Sequence, residues 1–441
     1  MWIAIFGIAL FLMLGALIYI FKRFKNFRFV RKFSKEDKKM SGLIRLIPIV
    51  GFVIYGIFDL VNAAIVLIHL AVIWMIADLV AFIIKKITSA GKKEDEAVSE
   101  ATAVREEVSE ATAASEEASD AASVSKTASA SDAASETVSA SEPVSKSASE
   151  TASASEPVSK SVSEPASDKK VYWPGLIALA VTCIYLTIGY YFAHHLYETD
   201  YNLSSDKDIG GKLVIAQVSD SHVGATFDGN GFKKRLERIQ KKNPDILVIT
   251  GDFVDDGTTR KDMEISCKAL GDFKAKYGVY FIYGNHDKGY YNSRDFSVSD
   301  LVRELEKNNV YILQDEAVLI EDRFYLVGRQ DASVENRMEI KDIVKNLDKD
   351  KYTIVLDHQP NDYDNEEAAE VDLVLSGHTH GGQMFPIGII GEKLFKANDK
   401  TYGLEKRGKT TFIVNSGISD WEIKFKTGTI AEYGIITIEG K

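Results

Sequence analysis

Aspartate, asparagine and histidine recur in this sequence in five short segments: Asp220-Ser221-His222, Gly251-Asp252, Gly284-Asn285-His286-Asp287, Asp357-His358 and Gly377-His378-Thr379-His380. The chain has 8 histidines, and five of them fall in these segments. The other three, His69, His194 and His195, belong to apolar stretches nearer the N-terminus. Imidazole and carboxylate suit Zn²⁺, Fe and Mn²⁺. Thiolate sites are excluded, because the 2 cysteines, Cys183 and Cys267, are far apart and one sits in an apolar segment. Such a donor set matches the needs of phosphate-ester hydrolysis. That reaction requires an activated water, neutralised charge and a protonated leaving group. Two cations roughly 3.5–4 Å apart supply the first two, and a metal lowers the pKa of its water from about 15.7 toward 7. One shared carboxylate is the natural bridge between such ions.

The elements that must position these residues are legible in the apolar pattern. Each of the five segments follows a short apolar run, at 213–218, 246–250, 279–283, 353–356 and 373–375. Further strands are expected at 310–313, 324–327 and 411–414. Phe232, Leu236 and Ile239 make a helical stripe, a helix is expected over 262–276, and Leu301, Val302 and Leu305 mark another. Alternating strands and amphipathic helices imply layered α/β architecture. Ligands of such sheets gather beyond the C-terminal ends of the strands, so all five segments are expected to meet. Arg329 and Asp331, after the 324–327 strand, are candidates for the pocket lining or for a surface turn. Tyr402 and Trp421 are candidates for core or rim.

In their order and spacing these segments resemble the calcineurin-like metallophosphoesterases, whose pattern is D-x-H, G-D, G-N-H-[D/E], a lone H and G-H-x-H. Here it reads DSH, GDFVDD, GNHD, DHQP and GHTHGGQ, over residues 213 to about 420. The GGQ extension, with Asn415-Ser416-Gly417, resembles a membrane-associated bacterial branch. The resemblance implies a four-layer αββα sandwich and two divalent ions, Mn, Zn or Fe. It implies Asp220, His222 and His380 at the first ion, Asp252 as the bridge, and Asn285, His358 and His378 at the second. His286 would contact the phosphate and protonate the leaving oxygen, a task suited to a pKa near neutrality. Asp255 would orient His286. Protein Ser/Thr phosphatases of this superfamily read GDxVDRG. Here Asp256 stands at the arginine position, where a carboxylate repels phosphate and disfavours a phosphoprotein substrate.

The rest of the chain is of different material. A mean hydropathy of −0.08 averages oily segments, a Ser/Ala/Glu tract and a globular region. Residues 2–21 are almost wholly apolar, long enough to cross a bilayer. Their basic cluster follows rather than precedes them, which marks a retained helix instead of a signal peptide. That basic loop, 22–41, is expected to be cytoplasmic, which puts the N-terminus outside. Residues 43–87 are apolar again, interrupted by Asp59 and Asn62, and read as a tight helical hairpin, making 1–90 a transmembrane region of about three helices. Residues 91–170 have no aromatic side chain and repeat ASEPVSK at 140 and 154. They are expected to be a disordered cytoplasmic linker, with transient helix in the proline-free first half. A fourth span is expected at 171–195, anchored by Trp173, Tyr190, Tyr191 and Tyr197.

The catalytic domain, 212–441, then lies outside the cytoplasm. If 43–87 is not a hairpin, the domain lies inside. The net charge of −11 argues against nucleic acid as a partner. The functional expectation is a multi-pass membrane protein whose domain hydrolyses a phosphomonoester or phosphodiester by attack of a metal-activated hydroxide. Anchoring fits a lipid-linked or nucleotide-linked envelope phosphate as substrate. The alternatives are a non-catalytic metal-binding sensor or structural module, and a nuclease.

Overall fold

Long apolar runs satisfy their backbone groups internally by coiling, and the N-terminal part of this chain does so throughout. The computed structural model describes residues 2–36, 38–123, 171–289 and 293–440. It begins with helices α1 (Trp2–Phe24), α2 (Arg28–Glu36), α3 (Lys38–Arg45), α4 (Ile47–Phe58), α5 (Leu60–Ser123) and α6 (Trp173–His194). Among the described residues searched, three stretches are long and apolar enough to cross a membrane: Lys39–Phe58, Leu60–Ser109 and Trp173–His194. Pro48, which lacks an N–H, sits in the first turn of α4, where its missing donor costs nothing. The break expected near Asp59 is the start of α5. Asp59 Oδ1 accepts the backbone N–H of Asn62 at 3.0 Å, as an N-cap does.

Helix α5 runs on to Ser123, so residues 91–123 of the expected linker continue it. Alanine, glutamate, lysine and arginine there are strong helix formers, and no proline occurs between Gly91 and Pro143. The remainder of the expected linker, 124–170, lies outside the described residues.

The chain divides into two compact units. One comprises Phe21–Leu46 and Val72–Ile177. In it the Arg23 guanidinium lies 2.9 Å from Asp78, and buried Trp74 donates to the Tyr172 hydroxyl at 3.0 Å. The other comprises Met1–Ile20, Ile47–Ala71 and Ala178–Lys441.

Among the described residues, the β structure all belongs to the second unit. Its elements are β1 (Leu196–Ser204), β2 (Lys212–Val218), α7 (Gly229–Gln240), β3 (Ile246–Thr250), α8 (Arg260–Asp272), β4 (Val279–Ile282), α9 (Val298–Lys307) and β5 (Val310–Ile312). There follow β6 (Glu316–Ile320), β7 (Phe324–Gly328), α10 (Ile340–Val344), β8 (Tyr352–Leu356), α11 (Tyr363–Ala368), β9 (Leu373–Ser376), α12 (Ile387–Ile389), β10 (Gly403–Arg407), β11 (Thr410–Val414) and β12 (Ala431–Glu439). Two six-stranded sheets result, in the orders β1-β12-β2-β3-β4-β5 and β10-β11-β9-β8-β7-β6. Strands β2 to β5 are mutually parallel, as are β7, β8, β9 and β11.

Because successive side chains point to opposite faces, each central strand feeds two cores. Leu213, Ile215 and Val248 meet Leu326, Ile354 and Leu375 between the sheets. Ala216, Leu247 and Phe281 face Phe232, Met263 and Leu301 of the outer helices. On the far side Val355, Val374 and Phe412 pack on Ile340 and Tyr363. The architecture is therefore the expected αββα sandwich.

The domain begins earlier than the sequence reading places it. Strand β1 starts two residues after α6 ends and pairs in parallel with β12 from Leu196↔Ala431 to Ser204↔Glu439. Its LYETDYNLS sequence lacks the apolar run of a central strand because it lies at an edge. Strand β12 inserts between β1 and β2, antiparallel to β2.

Candidate active site

The parallel strands of both sheets end toward one place, and sharp turns there aim the polar side chains. Asp220 N donates to Gly251 O at 3.0 Å, and His222 N donates to Asp252 O at 3.0 Å, so the turns after β2 and β3 run side by side. Asp220, His222, Asp252, His378 and His380 all sit at positive φ, between 35° and 69°. Each such residue costs on the order of 1–3 kcal/mol and persists only where its surroundings over-determine it. The surroundings are visible. Both Asp220 carboxylate oxygens accept His378 N, at 2.9 and 3.0 Å. Asp252 Oδ1 accepts His286 N at 2.8 Å. A side chain at Gly284 would collide with the Asp252 carboxylate, and one at Gly377 with Ser219 and Asp220. The glycines of these motifs are there for close approach.

Two groups of side chains could each hold a metal ion. Asp220, His222 and His380 form one, and Asp252, His358 and His378 the other. Within each group the ligand atoms lie within 4.8 Å of one another. The donors fit cations. Nε2 of His222, Nε2 of His358 and Nδ1 of His378 are buried without a hydrogen bond among the described residues. His358 Nδ1 lies 2.8 Å from Thr250 O. A carbonyl only accepts, so Nδ1 carries the proton and Nε2 is left as a ligand atom, 3.2 Å from Asp252 Oδ2.

Burial works to raise the Asp252 carboxyl, but His358, His222 and His286 hold it well below its usual range. Burial and the neighbouring charge of His358 push the His378 imidazole down to about 4. Burial, with His222 and Lys426, pushes His380 far down. His222 and His358 shift the other way: burial opposes it, but the surrounding carboxylates, Asp255 and Asp252 foremost, hold both imidazoles above their usual value. Carboxylates that stabilise positive charge at this point are what a divalent ion in place of those protons requires.

Around these groups stand the other expected residues. Asn285 and His286 follow β4 on the same side of the sheet. The His286 ring centroid is 5.0 Å from that of His222 and 5.1 Å from that of Trp421, which is a rim residue. Asp255 Oδ2 lies 3.3 Å from His222 Nδ1, so this carboxylate meets a member of the first group. Arg329 is buried. It lies 2.8 Å from Asp357, 2.7 Å from Asp362 and 3.3 Å from Glu366, so it serves an internal charge cluster rather than a surface turn. Asp331 accepts both contacts of Gln359 Nε2, at 3.0 Å.

Three residues escaped sequence reasoning. Asp287 accepts the N–H groups of Phe253, Val254 and Gly284 at 2.8, 3.0 and 2.7 Å, tying the β3 and β4 turns together. Its place in GNHD was the available signal. Asp420 Oδ1 lies 3.8 Å from His380 Nδ1 and 3.0 Å from Lys426 Nζ. Lys426 also donates to the carbonyls of Ser416 and Ser419. No local pattern distinguishes that pair from surface charges.

Residues 213–382 match the family described as Calcineurin-like phosphoesterase. An uncharacterized metallophosphoesterase of Campylobacter jejuni is 31% identical over 274 residues, covering 60% of this chain and 69% of that one. One of Aquifex aeolicus is 30% identical over 240 residues, covering 53% of this chain and 87% of that one. A transmembrane protein with metallophosphoesterase domain from Bos taurus is 30% identical over 238 residues, covering 50% and 51%. Five motifs in order, carried on turns that converge into two ligand groups, agree with these matches: the chain belongs to the calcineurin-like phosphoesterases, hydrolases of phosphoric esters that use two divalent metal ions.

Proposed function

We propose that this chain is a multi-pass membrane enzyme that hydrolyses a phosphomonoester or phosphodiester of the cell envelope, lipid-linked or nucleotide-linked. The carrying observation is the pair of groups, each of one carboxylate and two imidazoles, side by side at the strand ends. In this reading Asp220, His222 and His380 would hold one ion, Asn285, His358 and His378 the other, and Asp252 would serve both. Bound ions would neutralise the phosphate oxygens and acidify a water. The chain's own residues do the rest. Asp252 Oδ1 fixes the backbone of His286. His286 contacts the phosphate and gives its proton to the leaving oxygen, with Asp255 as its positioning carboxylate.

The sidedness we propose is N-terminus out, basic loop 22–41 inside, a hairpin over 43–87, and the catalytic domain out. Supporting it, the 59–62 turn meets the catalytic domain directly. Asn62 Nδ2 donates to Glu422 O at 2.8 Å, Lys424 N donates to Asn62 Oδ1 at 2.9 Å, and Lys424 Nζ lies 3.0 Å from Asp59. A turn at the tip of such a hairpin shares its side of the membrane with the domain it touches.

The test is a panel of phosphomonoesters and phosphodiesters on the intact chain with Mn²⁺, Zn²⁺ or Fe²⁺. His286→Ala should keep its metal and lose turnover by about 10²–10⁴-fold. Asp252→Asn should lose both, and unchanged metal content and turnover would remove the bridging assignment. An Asp350→Cys chain should react with an impermeant thiol reagent on intact cells; protection of that site until lysis would place the domain inside.

A further inference from the structure

The segment that continues the 378–380 turn carries six large apolar side chains exposed to the surroundings: Phe385, Ile387, Ile389, Ile390, Leu394 and Phe395, the last two at 71% and 72%. It folds as α12 and the turn Ile390–Leu394. A contiguous apolar patch of this kind marks a surface that meets something.

Helix α6 says what it meets. The Tyr185 hydroxyl donates to Thr427 Oγ1 at 2.6 Å, and Phe385 N donates to the same oxygen at 3.2 Å. Phe385 is thus held at about the depth of Tyr185. One turn further along α6, Gly189 O accepts Lys426 N at 2.9 Å, and a side chain at Gly189 would run into Thr427. The loop therefore lies against the helix itself.

Helix α6 starts at Trp173, which marks the near end of the span, with Lys169 and Lys170 just before it in the sequence. From Trp173 to Tyr185, at ~1.5 Å per residue, the helix climbs only about 18 Å. The hydrocarbon core is ~30 Å thick. A bilayer crossed by α6 must therefore extend past Tyr185, to the level of Thr427 and Phe385, and tilting the helix only enlarges the shortfall. The sequence agrees, with Lys393 inside the segment and Lys396 and Lys400 just after it, as basic residues flank interfacial elements.

We propose that residues 385–395 insert into the interfacial layer of the bilayer beside α6, and that the active site consequently takes its phosphate ester from a membrane lipid. The substrate half of this rests on the function proposed above. The segment and the site rim are one structure. Gln383, three residues after His380, accepts the N–H groups of Thr427 and Gly428 at 2.9 and 3.0 Å and donates to Ile423 O at 2.8 Å. The same loop carries Trp421 against His286. In the reaction, water oxygen forms the new bond to phosphorus, the ester P–O bond to the lipid breaks, and the leaving oxygen takes the proton.

The intact chain in vesicles of phosphatidylcholine and phosphatidylglycerol tests both halves. An environment-sensitive fluorophore on Leu394→Cys, in a Cys183→Ser background, should be quenched by doxyl-labelled lipid and shielded from aqueous iodide; the same probe on Asp350→Cys should behave oppositely. Iodide quenching at 394 without doxyl quenching overturns insertion. The double variant Leu394→Gln, Phe395→Gln should lose turnover about tenfold on vesicle-borne phosphatidic acid or phosphatidylglycerol, since two apolar anchors are gone. It should keep the rate of the parent on soluble p-nitrophenyl esters. Equal effects on both kinds of ester, or a parent enzyme that hydrolyses only the soluble ones, overturn the lipid substrate. A parent inactive on every ester sinks the proposed function, while the quenching result still decides insertion.

Discussion

Lys426 and Asp420 are each fully buried and 3.0 Å apart. Burial pushes the Asp420 carboxyl up to about 6, although Lys426 opposes it. Such a pair is costly to bury and costlier to break, because removing one partner leaves the other charged and unsolvated. Lys426→Met should therefore destabilise the domain by about 3–5 kcal/mol, and adding Asp420→Asn should recover part of the loss. Chemical denaturation of the single and double variants checks this. A double variant no better than the single would mean that the lysine acts through its carbonyl contacts rather than through the carboxylate.

Elements of the outer layer rest on local chemistry that the chain spells out. Ser297 caps α9, with Asp300 closing the box: Ser297 Oγ accepts Asp300 N at 3.2 Å, and Asp300 Oδ2 accepts Ser297 N at 2.9 Å. That backbone bond first, then Arg260, the Ser297 hydroxyl and Arg303, hold the Asp300 carboxyl well below the usual carboxylate range. A carboxyl lowered on folding contributes stability that is complete above its unfolded pKa of about 3.9 and fades as pH falls through its folded value. Asp300→Asn should thus be less stable than the parent at neutral pH, and the gap should begin to narrow below about pH 4 and keep narrowing as pH falls further. Ser297→Ala should cost about 0.5–2 kcal/mol, only part of which fades in acid, because the lost hydroxyl both caps the helix and donates to the Asp300 carboxylate. Thermal melts from neutral pH down to about pH 2 would separate them; a gap for Asp300→Asn that does not narrow at all below about pH 4 would make the carboxylate's charge irrelevant.

For the whole molecule, four turns, three of them with strained backbone, bring together two groups of ligands that no single element contains. Metal should therefore hold the sandwich together as well as run its chemistry. An ion that binds only the folded chain stabilises it by about 2.7 kcal/mol at a hundredfold excess over its dissociation constant. Chelation should lower the melting temperature of the catalytic domain and abolish turnover, with both restored by the ion. A melting temperature indifferent to chelation would show that the turns are fixed by their hydrogen bonds alone. The membrane helices should keep their circular dichroism throughout, since their backbone is satisfied within each helix.

Much of this was written locally. Residue types, motif order and the apolar runs before them announced the chemistry, the layered fold and the ligand candidates, because metal ligation demands particular donors and buried strands demand unbroken apolar stretches. Three apolar helices long enough to cross a membrane were legible for the same reason. What tertiary structure alone decided was non-local. The sequence placed the domain's start at 212, whereas β1 forms from 196 because β12, more than 200 residues away, offers it an edge. Asp420 and Lys426 became a buried pair only through β11 and its following loop. The 59–62 turn and Tyr185 acquired their meaning by touching residues 422–427, contacts that no local pattern announces. Periodicity records which face of an element seeks cover, but not which distant element will provide it.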